Sequence, residues 1–129
     1  MPDILTVRYS QTGKSTVANP MGMREMQARA YEKRDVQYLL LKAPPASGKS
    51  RALMFLALDK VLKQGLEKVI IAVPEMSIGG SFKDTDLTSH GFFADWHVDE
   101  RYNLCTPGNV GKVERVVEFM ADRSARYLV

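Results

Sequence analysis

The sequence has few of the features that mark secreted, membrane-embedded or metal-cluster proteins. Its single cysteine, Cys105, excludes an internal disulfide and any metal site built from several cysteines. No apolar run approaches the roughly 20 residues of a membrane-spanning helix. The start, Met1-Pro2-Asp3, lacks the basic-then-apolar layout of a signal peptide. We therefore expect a cytoplasmic protein with no membrane partner.

Net charge is also small, and it is unevenly spread. The 129 residues carry a formal charge of +3. The composition, with 45% hydrophobic and 26% charged residues, is ordinary for one globular domain with a modest core. The first 70 residues hold 12 Lys and Arg against 6 Asp and Glu, and the rest hold 6 against 9. A basic first half suits polyanions such as nucleotides and nucleic acid. An excess of this size is equally consistent with a generic solvated surface.

The run Ala43-Pro44-Pro45-Ala46-Ser47-Gly48-Lys49-Ser50 has the pattern of a phosphate-binding loop. It follows the apolar stretch Tyr38–Leu41 and leads into the helix-forming stretch Arg51–Leu56, which is the context that such a loop requires. Backbone N–H groups of the loop and the helix start point at an anion. The Lys49 ammonium suits the β- and γ-phosphates, and the Ser50 hydroxyl is the usual magnesium ligand. The predicted nucleotide-binding residues of the loop are Pro45, Ala46, Ser47, Gly48, Lys49, Ser50 and Arg51.

A second Gly-Lys-Ser tripeptide shows how much context matters. Gly13-Lys14-Ser15 also follows an apolar stretch, but Arg8 stands where the first glycine of the pattern would fall. The residues that follow it, Thr16–Pro20, are no helix, so we predict a solvated turn here. The alternative for Ala43–Ser50 is likewise a chance turn, which its flanking elements disfavour.

Hydrophobic periodicity predicts an α/β fold. A helix is predicted over Met23–Arg34, a strand buried on both faces over Gln37–Lys42, and a second helix from the loop to about Lys63. The β-branched run Val69–Val73, cut off by Pro74, completes a βαβ unit and hence a parallel sheet.

The second half of the chain is less regular. Glu75–Asn109 is rich in Gly, Asp, Ser and Thr with scattered aromatic residues, and we expect short strands or helical turns within it. Gly111–Asp122 is predicted to be a helix whose buried stripe is formed by Val113, Val116, Val117 and Met120. Arg126–Val129 begins another strand, and a chain that stops part-way into a strand is expected to be truncated.

These segments together resemble the first RecA-like domain of superfamily 2 helicases and translocases, the broad DEAD/DEAH-box and type III restriction group. Arg24-Glu25-Met26-Gln27 is similar to the Arg-x-x-Gln element of that family, and Ala43–Ser50 to its first motif, in which a leading Ala is common. Ala72–Met76 is similar to the strand-end motif that meets nucleic acid, and Tyr127–Val129 lies where a later strand begins. The resemblance covers residues 23–82 well and the remainder loosely.

The resemblance implies a partial P-loop NTPase domain with a RecA-like parallel sheet flanked by helices, over residues 23–129, preceded by an N-terminal strand and loop segment over residues 1–22. It implies ATP and Mg²⁺ as cofactors, with Lys49 in the catalytic role of stabilising charge on the transferring phosphate and Ser50 holding magnesium. Gln27 would read the adenine edge, to which an amide offers both a donor and an acceptor; the alternative is an exposed helical glutamine.

The resemblance also implies two partners, nucleic acid (DNA or RNA) and a second RecA-like domain that is missing here. The predicted nucleic-acid contacts are Pro74, Glu75, Ser77 and Gly79. The alternative for Pro74 is that it simply terminates a strand.

Three departures from the family limit the expected activity. Ala46 stands where these helicases usually carry Gly, which costs on the order of 1 kcal/mol if the position needs a positive φ. The strand ending in Asp-Glu is absent, since the only such pair, Asp99-Glu100, follows a stretch that is no buried strand. The second RecA-like domain is absent as well. We therefore expect ATP binding without efficient hydrolysis by this chain alone.

Two other functions remain as alternatives. The chain could be a non-catalytic nucleotide-binding regulatory module, or it could be a small P-loop kinase, although the Arg-rich lid of such a kinase does not follow Glu75.

Other residue clusters indicate packing more than chemistry. His90, Asp95, His97, Asp99 and Cys105 fit the spacing of no common metal site. Trp96 and the phenylalanines near it could stack on nucleic-acid bases, but a small satellite core is the favoured interpretation.

Overall fold

The described part of the chain contains α-helices, short 3₁₀ turns and a two-stranded parallel sheet. The computed structural model describes residues 17–106, 108 and 110–129. Most of the predicted segment 1–22, and the predicted turn at Gly13–Ser15, lie outside the described residues. The elements in chain order are α1 (Glu25–Glu32), α2 (Lys49–Leu62), β1 (Val69–Ile70), α3 (Met76–Gly79), α4 (Lys112–Ala121) and β2 (Tyr127–Leu128), with 3₁₀ turns at Gly80–Phe82, Thr88–His90 and Glu100–Tyr102.

The sheet joins β1 to β2 in parallel. Val69 lies opposite Tyr127, and Ile70 lies opposite Leu128. The Ile71 N–H donates to the Leu128 carbonyl at 2.8 Å, which continues the ladder one residue beyond β1. Helices with a parallel sheet are compatible with the predicted α/β class, and both of these strands fall inside stretches that the periodicity predicted.

The predicted buried strand over Gln37–Lys42 is wrong for this structure. The segment forms no regular element and pairs with no strand among the described residues, and Tyr38 and Leu40 are 86% and 89% exposed. A strand needs a hydrogen-bonded neighbour as well as apolar side chains. The parallel pair therefore forms between β1 and β2, and not across the predicted βαβ unit.

One core brings together α1, α2 and the irregular half of the chain. The buried residues that form it include Met23, Tyr31, Met54, Phe55, Leu58, Phe82, Leu87, Phe92, Trp96, Tyr102, Phe119 and Leu128. The Trp96 indole N–H donates to the Phe82 carbonyl at 3.0 Å, so this buried N–H has a hydrogen-bond acceptor within the core. Trp96 is therefore part of the main core. The predicted separate satellite core around Trp96 is wrong, because this residue packs in the same core as α1 and α2.

Helix α4 is turned differently from the prediction. Val113 and Val117 are 76% and 63% exposed, and Met120 is exposed too, so the predicted buried stripe is wrong except for the half-buried Val116. Phe119 is the buried residue, with its ring 5.3 Å from that of Tyr102. The aromatic side chain buries more apolar area than valine, and this difference decides which face turns inward.

Across the described part of the chain, no helix combines the length and the apolar character that crossing a bilayer demands.

Candidate nucleotide-binding site

The loop before α2 has the backbone geometry of an anion cradle. Ala46 has a φ of 60° and Gly48 a φ of 93°, so two left-handed residues alternate with residues of ordinary backbone. Such alternation turns successive N–H groups toward one concavity. The positive φ considered for Ala46 is present, and it costs on the order of 1 kcal/mol for a residue with a Cβ.

The start of α2 leaves its donors available. Gly48 is the N-cap, no side chain caps the helix, and no acidic residue stands in the first turn. The N–H groups at the start of a helix have no partner within it and carry the positive end of its dipole. Ser50 and Arg51 lie in this turn, half-buried. The Ser47 hydroxyl is buried with no hydrogen-bond partner among the described residues, which fits a donor held for a bound group.

Lys49 bends over the loop. Its ammonium donates to the Ala43 carbonyl at 2.9 Å, and the side chain is exposed. Lys49 thus joins the two ends of the loop, with its positive charge at the Ala43 carbonyl. A phosphate oxygen entering the loop would replace one carbonyl oxygen as its partner, which suits a group that binds the β- and γ-phosphates.

Gln27 lies against the loop from the side of α1. It is 2% exposed, so the alternative of an exposed helical glutamine is wrong. Its Oε1 accepts from the Arg24 backbone N–H at 2.8 Å, and its Nε2 donates to the Gly48 carbonyl at 3.0 Å. The Arg24 guanidinium donates to the Ala46 carbonyl at 3.3 Å. The Gly48 carbonyl is therefore bonded to α1, and the Ala46 carbonyl to Arg24, the residue that caps α1.

A buried carboxylate braces the far ends of α1 and α2. Asp59 accepts from the Tyr31 hydroxyl at 2.7 Å and from Gln64 Nε2 at 2.7 Å, and the Arg34 Nε lies 3.8 Å from it. Burial of the phenol and its bond to Asp59 raise the pKa of Tyr31 to about 12. Sequence reasoning missed this pair. The signal for it was an acidic residue at i+4 from Phe55, on the face of α2 that is otherwise apolar.

The predicted nucleic-acid residues are only partly on the surface. Pro74, Glu75 and Ser77 are exposed after β1, and the Ser77 hydroxyl donates to Glu75 Oε2 at 3.4 Å. Gly79 is buried, and a Cβ there would overlap the side chain of Cys105. Gly79 therefore serves the packing of α3 on Cys105, and the surface available to a partner is formed by the other three residues.

Two of the remaining polar candidates, His97 and Asp99, are engaged in local contacts. The imidazole Nδ1 of His97 lies 2.7 Å from Asp84 Oδ2, and Asp99 accepts from the backbone and guanidinium of Arg101. The Asp99-Glu100 pair lies on an exposed turn. Over residues 17–106, 108 and 110–129, no group of three or more His, Cys, Asp or Glu side chains is placed to hold a metal ion.

Comparison with known proteins gives one relative whose printed name is "Putative ATP-dependent helicase YeeB", from Bacillus subtilis (strain 168). The chain is 64% identical to it over 120 residues, which are 93% of this chain and 20% of the relative. The chain thus spans about a fifth of the length of the curated relative it matches. No family model and no solved structure matches. Identity at this level over nearly all of the chain supports a helicase-like family.

Proposed function

We propose that the chain is the ATP-binding N-terminal portion of a nucleic-acid-dependent helicase or translocase ATPase of the DEAD/DEAH-box superfamily 2 type, with a RecA-like P-loop domain over residues 23–129. The observation that carries the proposal is the loop of residues 43–48, whose left-handed Ala46 and Gly48 lead directly into the uncapped start of α2. The name of the Bacillus relative supports the same function.

In the proposed site the loop binds the phosphates through its backbone. The backbone N–H groups of residues 46–51 would donate to the phosphates, and the Ser47 hydroxyl would add a donor that has no partner within the described chain. The Lys49 ammonium would exchange the Ala43 carbonyl for the β- and γ-phosphates, and its charge would stabilise the charge that develops on the transferring phosphoryl group.

Ser50 is the residue that would hold magnesium, because its hydroxyl stands in the first turn of α2 beside the loop. The ion, when bound with the nucleotide, would supply charge neutralisation to the phosphates. Oxygen ligands suit this hard cation, so the residue present fits the ion. The adenine contact of Gln27 remains a prediction. Both polar atoms of its amide are bonded within the chain, so the amide would have to give up these bonds to contact adenine.

Pro74, Glu75 and Ser77 are proposed as the surface that approaches the nucleic-acid backbone, through main-chain groups and the Ser77 hydroxyl. The acidic Glu75 disfavours close contact with phosphate by its charge. The contact is therefore expected to be weak in this chain alone and to require a second RecA-like domain in a longer polypeptide.

The test is a calorimetric titration of the 129-residue chain with magnesium-ATP and magnesium-GTP. Lys49→Ala is expected to abolish measurable binding, since it removes the ammonium that bonds the Ala43 carbonyl at the start of the loop and is proposed to bind the phosphates. Lys83→Ala, which removes an exposed lysine outside the loop, is the matched control and is expected to bind as the wild type does.

Absence of binding by a cooperatively melting wild-type chain would contradict the proposal. Equal loss of binding in Lys49→Ala and Lys83→Ala would show that general charge, and not the loop, governs the affinity.

A further inference from the structure

We infer that a basic groove beside α1 is a docking site for an acidic peptide segment of a partner protein, one that carries carboxylates together with aliphatic side chains. The groove lies between α1 and residues 39–42, and its volume is about 280 Å³. Arg29, which lines it, follows Gln27 by two residues and so lies on the other side of the helix from the amide that contacts the phosphate loop. The groove is therefore a separate surface, and the inference does not depend on nucleotide binding.

Three cationic side chains line the groove and have no partner of their own. Arg29 belongs to α1, Lys33 is the residue that ends this helix, and Lys42 immediately precedes the phosphate loop. All three are exposed, and none makes an ion pair or a side-chain hydrogen bond with any residue of the described ranges 17–106, 108 and 110–129. Glu32 also lines the groove, so three cations and one carboxylate give its lining a formal charge of +2.

Several other cations of the fold are held locally. The Lys60 ammonium donates to the Arg34 carbonyl at 2.7 Å. The Arg115 guanidinium lies 3.0 Å from a carboxylate oxygen of Glu118. A cation that no local acceptor engages keeps its charge available to an anion on another molecule. The groove brings three such cations together on one surface.

Much of the remaining lining is aliphatic. Met26 on α1 and the leucines of Leu39–Leu41 contribute apolar area to the groove. Leu40 is 89% exposed and Leu39 is 39% exposed, so much of this area faces water. Covering it with aliphatic side chains of a partner would be favourable, because apolar surface would then leave water. The groove thus presents positive charge and apolar area side by side.

The lining favours a peptide over a nucleic acid. Surfaces that bind single strands combine cations with aromatic side chains on which the bases stack. No aromatic side chain is among the described residues that line the groove, and the carboxylate of Glu32 would repel a phosphate backbone. A peptide that alternates carboxylates with aliphatic side chains would bond the cations and cover the leucines at the same time.

The experiment measures the binding of a short fluorescein-labelled peptide of alternating glutamate and leucine to the 129-residue chain by fluorescence anisotropy. A peptide of alternating glutamate and serine has the same charge without the aliphatic side chains. An oligothymidylate of similar length tests the nucleic-acid alternative. Thermal melts of all variants report whether the fold is kept.

The variants remove either the charge or the apolar area of the groove: Arg29→Gln, Lys33→Gln, Lys42→Gln, the triple combination of these three, and Leu40→Ser. Lys83→Gln and Leu66→Ser are the matched controls, because both residues are exposed and lie outside the groove.

We expect the wild type to bind the glutamate–leucine peptide and each single cation variant to bind it about two- to fivefold more weakly, since each removes one exposed ion pair. The triple variant should weaken binding by about tenfold or more, and Leu40→Ser by about fivefold. Both controls should match the wild type. If the triple variant does not melt cooperatively, the single variants decide: a loss in each supports the inference, and wild-type affinity in all three refutes it.

A wild type that does not bind the glutamate–leucine peptide would refute the inference, and so would a folded triple variant with wild-type affinity. Equal affinity for the glutamate–serine peptide would show that charge alone is recognised, which would overturn it as well. Oligothymidylate that binds more tightly than the peptide and is lost in the triple variant would assign the groove to nucleic acid instead.

A parallel titration with magnesium-ATP separates this inference from the proposed function. Nucleotide binding without peptide binding would refute the inference alone, and peptide binding without nucleotide binding would refute the proposed function alone.

Discussion

The Tyr31 hydroxyl donates a 2.7 Å hydrogen bond to Asp59, and this bond joins α1 to α2 inside the core. Gln64 Nε2 also donates to the same carboxylate at 2.7 Å, and Arg34 lies 3.8 Å from it. A carboxylate buried among apolar side chains is stable only when its oxygens are bonded in this way. The pair therefore supports the angle at which α1 approaches the phosphate loop.

Tyr31→Phe removes the hydroxyl and leaves one Asp59 oxygen without its closest partner. We expect the free energy of unfolding to fall by about 1–2 kcal/mol, measured by urea denaturation at pH 7. Tyr38→Phe removes the same hydroxyl from an exposed residue and should leave the unfolding curve unchanged. Equal stabilities for the two variants would show that the buried bond contributes nothing net.

Ala46→Gly and Gly48→Ala test the two left-handed positions in opposite directions. Ala46→Gly relieves a strained φ of 60°, so nucleotide affinity should be equal or better. Gly48→Ala adds a Cβ at a φ of 93° and 2.5 Å from Gln27 Nε2, so affinity should fall markedly. Calorimetry with magnesium-ATP measures both. Weaker binding by Ala46→Gly would mean that the alanine methyl is needed by the loop.

Gly79→Ala and Gly80→Ala separate packing from backbone effects in adjacent residues. A Cβ on Gly79 overlaps the Cys105 side chain, whereas a Cβ on Gly80 meets no atom within 4 Å. We expect Gly79→Ala to destabilise the fold by about 1–3 kcal/mol and Gly80→Ala to be neutral or slightly stabilising. Thermal melts compare the two, and similar melting temperatures would refute the packing role given to Gly79.

Acid should weaken the fold through Asp122. The hydroxyl and N–H of Ser124 and then the Tyr102 hydroxyl donate to Asp122 and lower the pKa of its carboxyl to about 2. A carboxyl whose pKa is lower in the folded state stabilises the protein above its ordinary pKa, and this stabilisation is lost as the pH falls from about 4 toward 2. The melting temperature of Asp122→Asn should therefore fall less over this range than that of the wild type.

Glu67→Gln is the control for the acid experiment, because Glu67 is an exposed carboxyl. Its melting temperature should follow the wild type at every pH. If Asp122→Asn showed the full acid loss of the wild type, the bonds to Ser124 and Tyr102 would not be its origin.

Local signals predicted the elements that depend on local sequence. The ends of α2, both strands of the sheet and the alternation of turns in residues 75–106 followed from helix formers, β-branched runs and turn residues. The predicted strand over 37–42 was wrong because pairing requires a neighbour elsewhere in the chain. The face of α4 was wrong because Phe119, by packing on Tyr102, outweighs a stripe of smaller residues. The burial of Gln27 depends on the path of a loop 21 residues away, which periodicity does not encode.

The apolar segment 37–42 before the phosphate loop affects how the isolated chain behaves in solution. It forms no ladder with another strand among the described residues, and Tyr38 and Leu40 are almost fully exposed, so its peptide groups are open to pairing with a second chain. The purified protein should therefore self-associate as its concentration rises. A single charged substitution at Leu40 should keep the protein monomeric at higher concentration. It should not disturb the core, since the exposed side chain of Leu40 contributes little to that core.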